Sequence, residues 1–274
     1  MVRALLLLFL VTLPLFAVHP LIEDRLESLL EPEDLKKHAK LIKLVFANEN
    51  KFISHDKADS IAIIRTLKAN GLLKLFFKKP QKLNVRFVTG GNAQFFIKLM
   101  RDSLRSIGYY RFFTSKSRND NHAFSWEIEF ISEYAIDPIV LQKALAKRNC
   151  VITAIERKDA KTWNYSIDIT NAHLSLTTII PNREKILQKS LREYWVDVSL
   201  GKKLTIHTLR GDKWFPDIAI FDKKMRLLKV YKRKRQTTEV VFYLPKESTY
   251  LKISDYFNQS NIRHGLSLLL QGEK

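Results

Sequence analysis

Apolar and polar residues alternate strictly through Ser125-Trp126-Glu127-Ile128-Glu129-Phe130, which puts Trp126, Ile128 and Phe130 on one face of a half-buried strand. Trp163–Ile169 repeats the alternation. It follows Cys150–Glu156 across the polar turn Arg157–Lys161, so a hairpin is expected there. Between these strands the period lengthens to that of a helix. Phe95, Phe96, Leu99, Met100, Leu104 and Ile107 make an apolar face opposite Lys98, Arg101, Asp102 and Arg105, with Asn92 as N-cap and Gly108 past the C-terminus. A second helix opens on Asp137-Pro138 and carries Val140, Leu141, Ala144 and Leu145 inward. The stretch Lys82–Thr170 therefore reads as strand, helix, strand, strand, helix, strand, strand. That is the order of a split βαβ unit with one strand added.

The flanking segments follow other patterns. Leu21–Leu30 and Glu33–Ala47 read as amphipathic helices broken at Pro32, and a third helix over Lys57–Ala69 is capped by Asp56. Leu72–Phe77 fits strand or helix, and Lys78-Lys79-Pro80 closes the region. After Ala172–Lys189, where Arg183–Arg192 reads as a short helix, strands and turns recur at the spacing of a sandwich. The expected strands are Trp195–Leu200, Lys203–Leu209, Asp217–Phe221, Leu227–Tyr231, Thr238–Leu244, Tyr250–Ser254 and Gly265–Gln271. The expected architecture is thus a multidomain α+β chain: a helical N-terminal region at 18–80, a split βαβ α+β domain at 81–173 and an antiparallel β-sandwich at 190–274.

The first 17 residues belong to none of these. Arg3, the apolar run Ala4–Phe16 and the small-residue site at Leu15-Phe16-Ala17 make a secretory signal peptide, cut after Ala17. The alternative, an uncleaved anchor, meets an apolar run shorter than the roughly 20 residues of a spanning helix. A periplasmic location follows, with no integral membrane segment left after cleavage. The single cysteine, Cys150, excludes an internal disulfide and begins an apolar strand, which favours a small buried residue over a nucleophile.

Charge alters the picture more than composition does. The formal net charge is +19, and more than half of the excess falls in residues 174–274. Lys229, Lys232, Arg233, Lys234 and Arg235 form its densest cluster. The cluster reads first as a solvated loop; the functional alternative in an exported chain is a site for an envelope polyanion and not for nucleic acid. The aromatic turn Trp214-Phe215 is a candidate for stacking on sugar rings, or else it plugs the end of a core. The seven histidines fall in no metal-ligand spacing, and neither a GxSxG elbow nor a phosphate-binding loop motif occurs. Thr89-Gly90-Gly91-Asn92 reads as a tight strand-to-helix turn before it reads as an anion cradle. No catalytic residue, cofactor or metal is expected from these patterns.

Two resemblances rest on particular stretches. Phe215–Asp222, Leu227-Leu228, Pro245 and Tyr250–Ser254 make residues 194–271 similar to bacterial pre-peptidase C-terminal β-sandwich domains; where that family often has acidic and glycine residues, this chain has the basic Lys229–Arg235. Residues 83–156 resemble the βαββαβ topology of sporulation-related repeat domains, which bind peptidoglycan. They also resemble the ferredoxin-like periplasmic domains of pilus and secretion assembly proteins. The function these features imply is a non-enzymatic periplasmic scaffold or adaptor of a cell-envelope assembly, with envelope proteins or a cell-wall or anionic polymer as partner. The alternatives are a peptidoglycan- or glycan-binding module and, third, a hydrolase.

Overall fold

The computed structural model describes residues 18–54, 56–120 and 123–273, so the signal-peptide segment 1–17 lies outside the described residues. The described residues are mixed α/β, with six α-helices and several sheets, and most of the elements are strands. The described residues within Met1–Gly90, Asp102–Ala146 and Cys150–Thr170 form one compact unit. Those within Gly91–Arg101, Lys147–Asn149 and Asn171–Lys274 form the other.

The first unit begins with α1 (Pro20–Glu27), α2 (Pro32–Lys37) and α3 (Ala39–Val45). Where one helix is expected over Glu33–Ala47, His38 leaves helical geometry at φ −106° and divides it. Ile42 and Phe46 are nonetheless fully buried. A short ribbon of β1 (Ile53–Ser54) and β2 (Lys57–Ala58) follows, then α4 (Ser60–Ala69). The cap of α4 is Asp59 and not Asp56: the Asp59 carboxylate accepts from the amides of Ile61 and Ala62 at 2.9 and 3.0 Å. Asp56, with φ +57°, makes the tight turn of the ribbon instead.

A five-stranded sheet forms the rest of this unit, in the order β4-β5-β3-β7-β6. Its strands are β3 (Phe76–Thr89), β4 (Phe113–Asp120), β5 (Ala123–Tyr134), β6 (Val151–Arg157) and β7 (Thr162–Asp168), and α5 (Ala93–Ser106) and α6 (Pro138–Ala146) intervene in sequence. β3 pairs antiparallel with β5 and parallel with β7. The expected hairpin of β6 and β7 forms, and β7 takes the place beside β3. Strand β3 starts before Pro80, across the expected boundary. The ladder is irregular between Phe76 and Gln81, so the missing proline N–H interrupts nothing. Trp126, Ile128 and Phe130 are buried as their alternation requires. Phe87 stacks on Tyr165 with ring centroids 5.6 Å apart. Val140 does not point inward; it is 43% exposed.

The second unit holds a sheet ordered β13-β12-β15-β10-β8 and another ordered β14-β11-β16-β9. The strands are β8 (Thr177–Thr178), β9 (Lys185–Leu187), β10 (Tyr194–Asp197), β11 (Gly201–Thr208), β12 (Pro216–Phe221), β13 (Leu227–Lys232), β14 (Glu239–Tyr243), β15 (Tyr250–Asp255) and β16 (Leu266–Glu273). Both sheets feed one apolar cluster, with Val196, Ile218, Ile220, Leu251 and Ile253 from the first and Leu204, Ile206, Phe242, Leu268 and Leu270 from the second. The helix expected over Arg183–Arg192 is absent. Its centre is strand β9, captured by pairing with β16.

Candidate interaction surfaces

In the first unit, the start of β3, the end of β5, the segment after α5 and the first turn of α6 converge on an open groove. Phe76 and Tyr134 are register partners whose rings lie 5.2 Å apart, and both side chains remain more than half exposed. Tyr134 lies at the end of the inward row of Phe124, Trp126, Ile128 and Phe130, past the edge of the core. Below it the Tyr109 hydroxyl donates to the Ala135 carbonyl at 3.3 Å, and its ring meets Phe130 edge-on at 5.1 Å. Burial, reinforced by the nearby Asp137 charge, pushes the Tyr109 phenol up to about 12, so it stays a neutral donor.

Asp137 lines one part of the groove. One carboxylate oxygen accepts from the Ile139 amide at 2.9 Å and caps α6 behind Pro138; the other pairs with the Lys68 ammonium. The pocket between them is ≈ 390 Å³ and is lined further by Leu75, Ile107, Ala135 and Val140. A second pocket of ≈ 450 Å³ shares Ile107, Tyr109 and Tyr134 and runs on past Ile131 to Tyr110 and Arg111. The two pockets adjoin at these shared residues, and this trough has aromatic and aliphatic lining, with Lys68 and Asp137 lining the first pocket and Arg111 the second. Such a trough is able to hold bulky apolar groups beside a few charges. In sequence Asp137, Ile107 and Val140 read only as parts of helices, while Phe76 sits in the ambiguous stretch and Tyr109 in a connection. The sequence signal available was the aromatic content of 109–113 and of the two strand ends.

The strands on either side of the basic cluster of the second unit do not form a hairpin. β13 and β14 do not pair. β13 pairs with β12 and β14 with β11, so residues 233–238 carry the chain from one sheet to the other. Lys229 is within β13, and Lys232, its last residue, lies 3.5 Å from the Asp217 carboxylate. Arg233, Lys234 and Arg235 are exposed on the connection. The Arg233 guanidinium covers the Tyr231 ring at 5.0 Å, and the Lys234 ammonium covers Tyr256 at 5.4 Å.

Trp214 and Phe215, candidates either for stacking on sugar rings or for plugging the end of a core, are separated in role. Trp214 is fully buried in the apolar cluster, and its indole N–H donates to the Ser254 carbonyl at 3.0 Å. Its ring faces are occupied by the core and do not offer a stacking surface. Phe215 is half-buried and meets Phe257 edge-on at 4.9 Å.

The remaining candidates are structural. Cys150 is buried, and the Asn92 side chain accepts from the Phe95 amide at 2.9 Å as an N-cap. His264 places Nδ1 2.7 Å from the buried Asp212 carboxylate, which also accepts the His264 amide. Among the described residues no group of three or more His, Cys, Asp or Glu side chains is placed to hold a metal ion, and no helix is long and apolar enough to cross a membrane. No protein-family model matches the chain, and no curated protein matches it.

Proposed function

We propose that the protein is a non-enzymatic adaptor of a cell-envelope assembly, exported by its N-terminal segment to the periplasm, and that it holds an extended segment of an envelope protein in the trough of its first unit. The observation that carries this reading is the aromatic trough around Tyr109 and Tyr134, with Lys68 and Asp137 lining one of its pockets and Arg111 the other. Its polar groups are engaged in holding the backbone, as the Tyr109 hydroxyl on Ala135 and Asp137 on α6, which suits binding better than chemistry. The sheet order supports reading the first unit as a ferredoxin-like split βαβ domain with β7 inserted beside β3. The two sheets around one core support reading the second as a β-sandwich.

The test is photo-crosslinking from position 110, on the same trough and exposed, in intact cells, with and without Phe76→Ser/Tyr134→Ser in the same chain. An envelope protein recovered reproducibly with the crosslinker and lost in the double variant is the expected result. Recovery of no envelope protein, or equal recovery by a crosslinker placed on exposed Lys202, overturns the reading.

A further inference from the structure

The exposed aromatic turn beside the basic connection is built to a degree that a solvated loop does not need. Asp255, the last residue of β15, is buried, and its carboxylate gathers the chain around it. One oxygen accepts from the Phe215 amide at 2.9 Å. The other accepts from the amides of Phe257 and Asn258, both at 2.9 Å, and from the Asn261 side chain at 3.0 Å. The Tyr256 amide donates to the Phe215 carbonyl at 2.7 Å. The turn is therefore held rigidly from beneath, and what it displays is apolar. Phe257 is 62% exposed with Phe215 on one side and Tyr256 on the other, each with ring centroids 4.9 Å from its own.

The basic connection lies against this turn. The Arg233 amide donates to the carbonyl of Pro216, next to Phe215, and the Lys234 ammonium sits over Tyr256. Among the described residues no carboxylate lies within ion-pair distance of Arg233, Lys234 or Arg235. A preorganised aromatic tip ringed by unneutralised cations is the composition of an interfacial anchor. The rings enter the boundary between headgroups and acyl chains while the cations meet the headgroup phosphates. A soluble polyanion would use the cations and leave Phe257 in water.

We propose that this tip, Phe215, Tyr256 and Phe257 with Arg233, Lys234 and Arg235, docks on a bilayer surface containing anionic phospholipid. The inference stands on the second unit alone and does not rest on the adaptor reading. Each cation near an anionic surface contributes about 1 kcal/mol, which is about a fivefold change in partition. Contacts close to the membrane dominate, because the screening length is about 8 Å at physiological ionic strength.

The test uses the full chain and vesicles of phosphatidylcholine with or without phosphatidylglycerol. All variants share the same N-terminus, so any affinity of the run Ala4–Phe16 for lipid is common to them. A Phe257→Trp reporter is expected to shift to the blue and to be quenched by brominated lipid with phosphatidylglycerol vesicles, over the background of the native tryptophans. Adding Arg233→Ser, Lys234→Ser and Arg235→Ser is expected to weaken this partition about a hundredfold while the chain stays folded, and Phe257→Ser, read by vesicle co-sedimentation beside the wild type, is expected to weaken binding about tenfold. An unshifted reporter overturns the proposal. So does Phe257→Ser binding as tightly as the wild type while the triple variant is released, because the contact is then one of charge with any polyanion.

Discussion

Lys68 and Asp137, 69 residues apart in sequence, meet as an ion pair in the lining of the trough, and the same aspartate caps α6. The two tasks can be separated. Asp137→Asn keeps a good cap and loses the pair; Asp137→Ala loses both. Because the pair is partly exposed, its loss is expected to lower stability by less than about 1 kcal/mol, and loss of the cap by about 1 kcal/mol more. Urea unfolding of the two variants beside Lys68→Met reads the difference. Equal destabilisation by Asn and Ala would show that the cap contributes nothing.

Asp222 predicts a pH window. Burial by itself would raise its carboxyl, but hydrogen bonds from the Arg226 side chain and from the amides of Arg226 and Lys224, with the Arg226 charge, outweigh burial and hold it below the ordinary aspartate range. A depressed folded value stabilises the protein above the unfolded pKa near 3.9, and this stability is lost as pH falls through the folded value. Asp222→Asn is therefore expected to lower the melting temperature by a constant amount from pH 5 to pH 8. The gap should narrow below about pH 4. A gap that widens in acid would contradict the assignment.

Two glycines with positive φ should respond very differently to alanine. At Gly265, φ is +103° and an added Cβ would meet the Leu187 carbonyl oxygen at 2.1 Å. That oxygen is backbone of β9, so Gly265→Ala is expected to cost about 3 kcal/mol or more and to strip β9 from β16. At Gly211, φ is +74° in open space, and alanine there should cost only about 1 kcal/mol. Thermal melts of the two variants are sufficient to compare them.

The Tyr165 hydroxyl donates to the Ile136 carbonyl at 3.0 Å inside the first unit, and burial raises its phenol well above the usual value. Tyr165→Phe should cost about 1 kcal/mol, the net value of a buried neutral hydrogen bond. The melting temperature should otherwise follow pH as it does in the wild type up to pH 10, because the native phenol stays protonated there.

The elements legible in the sequence were those whose period is set by a single buried face. Trp126, Ile128 and Phe130 on β5 and the row from Phe95 to Leu104 on α5 are buried as their spacing requires. What the pattern left open was pairing. Leu227–Lys232 and Glu239–Tyr243 are neighbouring strands in sequence, but their apolar residues serve two different sheets, and no local signal distinguishes that from a hairpin. The Arg183–Arg192 stretch has the charge spacing of a helix, yet Lys185–Leu187 is fixed by partners about 80 residues away on β16. Trp214 was ambiguous for a related reason, since an aromatic in a turn reads alike whether it caps a core or faces solvent. The trough has no such signal because it is assembled from element ends, where periodicity stops.

The parallel pairing of β3 with β7 also determines when the chain is vulnerable. β3 is the middle strand of its sheet, but its second neighbour is not complete until Asp168. At a synthesis rate of about 5–20 residues per second, some seconds separate the emergence of β5 from that of β7. During that interval the backbone edge of β3 from Asn84 to Val88 has no native partner. Non-local pairing of this kind folds slowly once the chain is complete. Nascent chains halted between residues 134 and 162 should therefore be the species most prone to associate through an open strand edge.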